Sequence, residues 1–337
     1  MIKLSDYDYT LPKELIAKYP VEPRDSCRLM VLNRNDKTIN HRIFRDIVEY
    51  LEEGDLLVLN DTKVIPARLK GKKETGANIE IFLLRPYTED TWEVLIKNIK
   101  RLKPGQKVII AEDFYAVLLE KFDEGKAKIK LVGKNVNELI KKYGHIPLPP
   151  YIEREDEEKD KNYYQTVFAK KEGAVASPTA GLHFTTELLE KLEKKGIKKA
   201  FCTLHVGLGT FRPIQVEDIT QHKMHEEFYQ IPEETLDLIK ETKEKGKRVI
   251  AVGTTVVRTL ETYARTKKTE GFSNLFIYPP YEFKIVDALI TNFHLPKSTL
   301  LLLVSAFAGK DFIFKAYKEA INNRYRFFSY GDAMLIL

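Results

Sequence analysis

Apolar and polar residues follow two different patterns along the chain, and the change of pattern divides it. The first 66 residues and the stretch from Tyr163 onward alternate short apolar runs, such as DLLVLND and RVIAVG, with helical patterns, such as TTELLEKLEKKG and TTVVRTLETYAR. Strands that alternate with helices are typical of a mixed or mostly parallel sheet. The sequence therefore predicts a mixed, largely parallel sheet covered by helices.

Residues 67–142 show a pattern of period two. Short alternating runs such as NIEIFLL, TWEVLIK, YAVLLEKF and AKIKLV are separated by turns such as LKPGQ and DEGK, and a helix-like VNELIKKYG ends the block. Five or six short strands with no helix between them indicate a small β-barrel. We therefore predict an α/β fold with an inserted all-β barrel: residues 1–66 and 143–337 form a discontinuous catalytic domain, and residues 67–142 form the barrel domain.

Three further segments have local patterns. A helix is predicted over IFRDIVEYLEEG, with Gly54 as its stop signal, and a shorter helix between Leu11 and Lys18. The charge-rich EREDEEKDK, which follows the proline-rich HIPLPPYI, is predicted to be an exposed loop.

Length and composition exclude several classes of protein. A chain of 337 residues with 43% hydrophobic residues can build two or three cores, so a disordered chain is excluded. Two cysteines, Cys27 and Cys202, are too few for a disulfide framework or a cysteine-based zinc site. The N-terminal MIKLSDYDYT does not resemble a signal peptide, and the longest apolar stretch is about half of what a bilayer requires. We expect a cytoplasmic protein.

The positive charge is confined to one part of the chain. The whole chain has a net charge of +6, and residues 67–142 carry 17 Lys and Arg against 11 Asp and Glu. The remainder is balanced, so the predicted barrel holds the entire excess. A polyanion is the natural partner of such a segment, although a lysine-rich solvated surface gives the same composition.

Four loops that follow predicted strands carry polar groups, and ligands bind at such places in α/β sheets. They are 60–62, 178–184, 203–211 and 253–255. In the last, Gly253 allows close approach of the backbone, and Thr254 and Thr255 add hydroxyls to the amides of a helix start. That arrangement suits a carboxylate or phosphate oxygen; a plain capped helix is the alternative.

Histidines are concentrated in the second half of the chain. Five of the seven are His183, His205, His222, His225 and His294. Imidazole moves protons near neutral pH, so a cluster of histidines in ligand-facing loops favours acid–base chemistry. The order His-x-x-His-Glu at 222–226 matches neither zincin nor inverzincin spacing, and we expect no metal site.

Near the C-terminus, NNRYRFFSYGD interleaves aromatic and basic residues. The rings could stack on an unpaired base, or they could pack into the core as part of a C-terminal helix. The sequence leaves both interpretations open.

Several blocks in this chain resemble a known family. They are DYDYTLPKELIAKYP, LVLNDTKVIPARLKG, HIPLPPYI, YQTVFA, SPTAGLHF, TLHVGLGTFRPI, HKMHEEFY, AVGTTVVRTLE, TNFHLPKSTLLLLVSAF and YRFFSYGDAMLIL. In content and order they resemble the S-adenosylmethionine:tRNA ribosyltransferase-isomerases of queuosine biosynthesis. The barrel segment carries the weakest part of this resemblance.

The resemblance implies a specific reaction. The ribosyl part of S-adenosylmethionine is transferred and isomerised onto 7-aminomethyl-7-deazaguanine at the wobble position of tRNA, which gives epoxyqueuosine-tRNA, adenine and methionine. A sulfonium acidifies its neighbouring C–H bonds and makes the thioether a good leaving group. The enzyme's task is then proton transfer, for which histidines and carboxylates suffice. We expect S-adenosylmethionine as co-substrate, no other cofactor and no metal.

Loop position and the matched motifs supply candidate residues for substrate binding and proton transfer, and excess positive charge supplies those of the barrel. For S-adenosylmethionine they are Gly253, Thr254, Thr255, Arg258, Thr179 and Gly181; Arg258 would pair with its carboxylate. The acid–base candidates are His205, His225 and His294, with His183 and Asp61 in reserve. For tRNA they are Lys97, Lys100, Arg101 and Lys103 of the barrel, together with Arg324 and Arg326. The expected partners are S-adenosylmethionine and the anticodon stem-loop of the tRNA, with no membrane and no obligate protein partner.

Two alternatives belong to other functional classes. One is a non-catalytic RNA-binding protein, which would release no adenine. The other is an S-adenosylmethionine-dependent methyltransferase, which would give S-adenosylhomocysteine and would normally carry a glycine-rich loop after its first strand. Asn60-Asp61-Thr62 stands at the corresponding place here, which argues against it.

Overall fold

The computed structural model describes residues 1–207 and 213–337. Its strands are β1 (Arg28–Asn33), β2 (Thr38–Ile43), β3 (Leu56–Asn60), β4 (Thr62–Val64), β5 (Arg68–Lys73), β6 (Asn78–Pro86), β7 (Thr91–Lys97), β8 (Lys107–Ala111), β9 (Phe114–Lys121), β10 (Lys126–Val132), β11 (Lys171–Ala174), β12 (Lys198–Leu204), β13 (Glu227–Gln230), β14 (Val249–Val252), β15 (Glu270–Ser273), β16 (Ala288–Asn292) and β17 (Ala333–Ile336). Its helices are α1 (Val136–Tyr143), α2 (Asp160–Tyr163), α3 (Thr186–Lys195), α4 (Glu233–Glu244), α5 (Thr254–Thr266), α6 (Thr299–Ala308) and α7 (Lys310–Asn322). No helix in this described part combines the length and the apolar character needed to cross a bilayer.

The large sheet has nine strands in the order β15-β13-β12-β3-β14-β16-β17-β1-β2. The central pairs β12–β3, β3–β14 and β14–β16 are parallel, as is β1–β17. The strands at both edges and the pair β16–β17 are antiparallel. Strands from both ends of the chain therefore meet in one mixed sheet, as the alternating pattern predicts.

Both faces of this sheet are buried. Along β3, Leu56 and Val58 belong to one apolar layer, whereas Leu57 and Leu59 belong to the other. The first layer is covered by apolar residues of α5, α6 and α7, and the second by those of α3. Helices on both faces explain why the central strands are almost uniformly apolar.

The positively charged segment folds as a closed barrel with strand order β10-β7-β6-β5-β8-β9. Neighbouring strands are antiparallel, and alternate residues such as Ile79, Ile81 and Leu83 of β6 point into a core of their own. Helix α1 packs Val136 and Leu139 against that core. The small all-β barrel inserted into an α/β scaffold is confirmed, whereas the domain limits at 67 and 142 stay a prediction.

Two local helix predictions are wrong. The segment predicted as a helix ending at Gly54 forms a 3-10 helix at Phe44–Glu49, and the chain between Leu11 and Lys18 forms only a 3-10 turn at Lys13–Leu15. In the first, the Asp46 carboxylate accepts the Ile43 N–H at 3.0 Å and so caps the start of the 3-10 helix.

The charge-rich loop is mostly exposed, as predicted, but Asp160 within it is completely buried. Its carboxylate accepts two hydrogen bonds from Arg154, at 2.7 and 2.8 Å, and one from the Tyr330 hydroxyl at 2.9 Å. The sequence did not reveal that Asp160 is buried, because one of its hydrogen-bond partners, Tyr330, lies 170 residues away in the chain.

Candidate active site

A cavity opens at the carboxyl ends of the central strands. Its walls come from the loops after β14 and β16, from 177–180, and from Tyr151, Val206, Phe328 and Ser329. The space is about 670 Å³ when its open mouth is included, within the range of small-molecule sites. Ligands of α/β sheets bind at this position because several loops converge there.

The start of helix α5 forms one wall of the cavity. Gly253 has φ of +99°, a backbone conformation that L side chains rarely adopt, and a Cβ there would lie 3.4 Å from the Ala180 Cβ. Because glycine has no side chain to cap the helix, the first-turn amides are left for another acceptor. Thr255 Oγ1 accepts a hydrogen bond from Asn60 Nδ2 at 3.2 Å, so β3 and α5 are connected at this point.

Five of the sequence-predicted residues line this cavity: Thr179, Gly253, Thr254, Thr255 and His294. Gly181 lies behind the wall instead, where a Cβ would meet the Phe168 ring at 2.8 Å. Its role in the structure is therefore close packing of the 3-10 turn Thr179–His183.

His294 is the histidine that faces the cavity. Its Nε2 is 2.7 Å from Thr291 Oγ1, and its main-chain N–H donates to the Tyr317 hydroxyl at 2.8 Å. Burial lowers the pKa of His294 to about 3, so the imidazole is neutral at physiological pH. A neutral imidazole is poised to accept a proton.

His183 sits in a chain of hydrogen bonds that fixes its tautomer. Asn292 Nδ2 donates to the Phe328 carbonyl at 2.7 Å, so Asn292 Oδ1 is the acceptor that faces His183 Nε2 at 3.1 Å. His183 Nε2 therefore carries the proton, and Nδ1 accepts from the Cys27 thiol at 3.3 Å. Burial lowers the pKa of His183 to about 4 and raises that of Cys27, which keeps both groups neutral. With both ring nitrogens engaged, His183 is better suited to positioning Asn292 than to transferring protons.

His205 and Asp61 lie together at the ends of β12 and β3. His205 Nδ1 is 2.7 Å from Thr62 Oγ1, and Asp61 Oδ1 accepts the Thr203 hydroxyl at 2.5 Å. Desolvation lowers the pKa of His205 although the Asp61 charge opposes it. The next residue, Val206, lines the cavity, so His205 lies beside the cavity wall.

Arg258 forms a buried ion pair with Glu227. Arg258 Nη1 is 2.5 Å from Glu227 Oε1, and the second oxygen of Glu227 accepts the Gly207 N–H at 2.6 Å. Within the described residues, Arg258 Nε and Nη2 have no hydrogen-bond partner. Both nitrogens are buried, and Arg258 is not among the residues that line the cavity, so its contact with a carboxylate stays a prediction.

The remaining acid–base candidate, His225, is exposed just before β13, next to His222. The predicted loop 203–211 is only partly described, since Leu208, Gly209, Thr210 and Phe211 lie outside the described residues.

The proposed tRNA contacts occupy two places. Lys97, Lys100, Arg101 and Lys103 are exposed at the β7–β8 connection of the barrel. Arg324 is exposed and Arg326 half-buried near the C-terminus. The rings between and beyond these arginines are buried, and Phe328 among them also lines the cavity. Helix α7 ends at Asn322, so these aromatics pack into the core from a non-helical segment and form no exposed stacking surface.

Sequence reasoning missed several residues that line the cavity: Tyr151, Ser177, Asn292, Ser298, Phe328 and Ser329. One signal was available, because Asn292 is a polar residue at the end of the apolar run ALITN. Phe328 gave no such signal; its φ of +73° is rare for a bulky residue and is found only in the structure.

Comparison with known proteins extends the resemblance to the whole chain. The family model described as "Queuosine biosynthesis protein" matches residues 4–336. The S-adenosylmethionine:tRNA ribosyltransferase-isomerases of Sulfurihydrogenibium sp. (strain YO3AOP1) and Thermotoga maritima are 70% and 58% identical, each over 100% of both chains. The crystal structure of the S-adenosylmethionine tRNA ribosyltransferase from Thermotoga maritima matches with a TM-score of 0.58 and 49% identity, covering 98% of this chain and 100% of that chain. This chain therefore belongs to the queuosine biosynthesis family of S-adenosylmethionine:tRNA ribosyltransferase-isomerases.

Proposed function

We propose that this protein transfers and isomerises the ribosyl part of S-adenosylmethionine onto 7-aminomethyl-7-deazaguanine at the wobble position of tRNA. The products are epoxyqueuosine-tRNA, adenine and methionine. The observation that carries this proposal is 70% identity, over the full length of both chains, to a relative with that enzyme name. Since its partner is tRNA, the reaction takes place in the cytoplasm.

S-adenosylmethionine occupies the cavity at the carboxyl ends of the central strands. Its carboxylate lies at the start of helix α5, where the amides of Thr254 and Thr255 and the positive end of the helix dipole favour an anion. Arg258, one turn further along α5, adds a buried positive charge, and its Nε and Nη2 nitrogens have no partner among the described contacts. Thr179 lines the facing wall.

Proton transfer falls to the histidines around this cavity. His294 faces the substrate directly and is neutral, so it can accept a proton from the carbon next to the sulfonium. His205, also with a lowered pKa, lies beside the wall near Asp61, where it can keep the tRNA amine neutral for attack. His225 stays a candidate for protonating adenine, with Asp61 and His183 as supporting groups.

The tRNA approaches from the side of the barrel. The exposed Lys97, Lys100, Arg101 and Lys103 contact phosphates, and Arg324 and Arg326 add charge near the C-terminus. Contacts of this kind position the nucleic acid without reading its sequence.

The test is to incubate the purified protein with S-adenosylmethionine and tRNA carrying the 7-aminomethyl-7-deazaguanine base, and to quantify small-molecule products. We expect adenine and methionine in equal amounts, with no release when the tRNA lacks the modified base. S-adenosylhomocysteine would indicate a methyltransferase. Binding of tRNA without either product would indicate an RNA-binding protein.

A further inference from the structure

Three rings lie in a row across one edge of the large sheet. Phe272 of β15 is in register with Phe228 of β13, and their ring centroids are 5.7 Å apart. The Phe228 ring is stacked on the His205 ring at 5.9 Å with 22° between their planes. The His205 N–H donates to the Phe228 carbonyl at 3.0 Å, which fixes this register. We call these three residues the aromatic row.

The row is open to solvent at its outer end. The Phe272 side chain is 58% exposed, and β15 is the last strand of the sheet in the described part of the chain. Phe228 and His205 are half-buried, so exposure decreases towards the candidate active site. A single exposed phenylalanine is ordinary, but a continuous row of rings that leads to a candidate acid–base group points to a binding surface.

The inner end of the row is held in place by its surroundings. A Cβ at Gly173 would lie 2.8 Å from the His205 ring, and the φ of +147° at Gly173 also favours glycine. Thr62 Oγ1 holds the other side of the ring at Nδ1. The next residue along the chain, Val206, lines the cavity, so the row is continuous with the site described above.

We propose that the aromatic row is a stacking platform for an unpaired base of the tRNA, an inference that rests on the proposed function. A base to be modified must leave its neighbours in the anticodon loop, and aromatic rings stabilise such a base by stacking. The charge next to the row suits the attached phosphate: Lys171 Nζ hydrogen-bonds to Gln230 Oε1 at 3.2 Å, and its charge acts on His205.

An RNA base fits this surface better than the small substrate does. The cavity is concave and lined by threonines, whereas the row lies across the edge of the sheet and can be reached by a large molecule. The row therefore leads from a base stacked on Phe272 towards His205.

The test replaces the most exposed ring and follows tRNA and S-adenosylmethionine separately. Phe272→Ala is expected to raise the KM for modified tRNA at least about tenfold, the scale of losing one base–aromatic stack, while the Kd of S-adenosylmethionine is unchanged. Phe272→Trp should retain the wild-type KM because it keeps a flat ring. Ile43→Ala, an exposed apolar side chain on the opposite edge strand β2, is the matched control and should change neither quantity.

Two results would overturn the platform. One is an unchanged KM for tRNA in Phe272→Ala. The other is a wild-type dimer that the same substitution dissociates in sedimentation, which would make the row an interface between two copies. If wild-type protein released no adenine, the proposed function would fail. Filter binding of the tRNA to wild-type and Phe272→Ala protein would still show whether the Phe272 ring contributes to tRNA binding.

Discussion

At the scale of single residues, the site depends on histidines that the fold keeps neutral. His183 and His294 are both buried, and desolvation lowers their pKa values to about 4 and about 3. In His183 the Asn292 side chain determines which ring nitrogen carries the proton, and the other nitrogen accepts from Cys27. Burial thus decides protonation, and hydrogen bonding decides tautomer.

These lowered pKa values make stability depend on pH. The unfolded chain takes up a proton at each histidine near pH 6.5, whereas the folded chain does so only near pH 4 or 3. Stability contributed by the neutral rings is present above pH 6.5 and is lost as the pH falls towards these values, by up to about 1.4 kcal/mol per pH unit and histidine. The free energy of unfolding, measured with denaturant at several pH values between 6.5 and 4, should fall less steeply with falling pH in His294→Asn than in wild type. The same dependence of stability on pH in both proteins would contradict a neutral His294.

His205 is the residue whose loss should affect chemistry most clearly among the half-buried histidines. Since a general acid or base contributes 10²-fold or more, we expect His205→Ala to lower the single-turnover rate of adenine release by about that factor. The same loss is expected for His225→Ala.

The matched control is His41→Ala on edge strand β2, where the ring contacts Tyr325 and Glu319. Its single-turnover rate should equal that of wild type. A wild-type rate in the His205 variant would remove this side chain from the mechanism.

At the scale of elements, the segment before α2 holds Tyr151 against the cavity. Tyr151 hydrogen-bonds to Ser329, and the Arg154–Asp160–Tyr330 network ties the same segment to the C-terminal region. Burial raises the pKa of Asp160, but hydrogen bonds from Arg154, the Glu157 N–H and Tyr330 outweigh it and leave the pKa lowered. This segment is part of the site's framework.

Removing the buried carboxylate should therefore destabilise the protein strongly. Asp160→Ala leaves the Arg154 guanidinium, the Glu157 N–H and the Tyr330 hydroxyl without their acceptor, and we expect a loss of about 3 kcal/mol or more in the free energy of unfolding. Glu158→Ala, in the same segment with an exposed side chain, should change stability by less than about 1 kcal/mol. Equal effects in the two variants would contradict a structural role for the network.

At the scale of the whole molecule, the charge is divided between two bodies. The α/β part is balanced, and the barrel carries the excess of positive charge with Lys97, Lys100, Arg101 and Lys103 exposed at one connection. Cations on such a surface release counterions from a bound nucleic acid, so they make binding sensitive to salt.

Replacing these four barrel residues by glutamine should lower the salt dependence of tRNA binding. Each lost phosphate contact reduces the slope of log K against log salt by about 0.7 to 0.9. Lys191→Gln and Lys194→Gln on α3 serve as controls for loss of surface charge. If the slope of log K against log salt stays at the wild-type value, these four residues do not contact the tRNA and belong to an ordinary solvated surface.

Much of this architecture is predictable from the sequence because it depends on local pattern. Alternation in NIEIFLL fixed which residues of β6 face the barrel core, and strand–helix alternation indicated the mixed sheet. The helix starting at Thr254 followed from the glycine and the apolar spacing behind it.

Contacts between segments that are distant in the chain could not be predicted from the sequence. Tyr151, Asn292 and Phe328 meet at the cavity although they are far apart in the chain, and no local pattern brings the three segments together. The buried Asp160 reads as part of a solvated charge run until Tyr330 is placed beside it. Tertiary packing, rather than local preference, decides these positions.

The most direct measurement of ribosyl transfer is mass spectrometry of the anticodon nucleosides after reaction with S-adenosylmethionine labelled with ¹³C in its ribosyl carbons. The account predicts an epoxyqueuosine nucleoside that carries the labelled carbons, formed only when both the protein and the modified tRNA are present. A wobble nucleoside without the label, or one that gained only a methyl group, would contradict it.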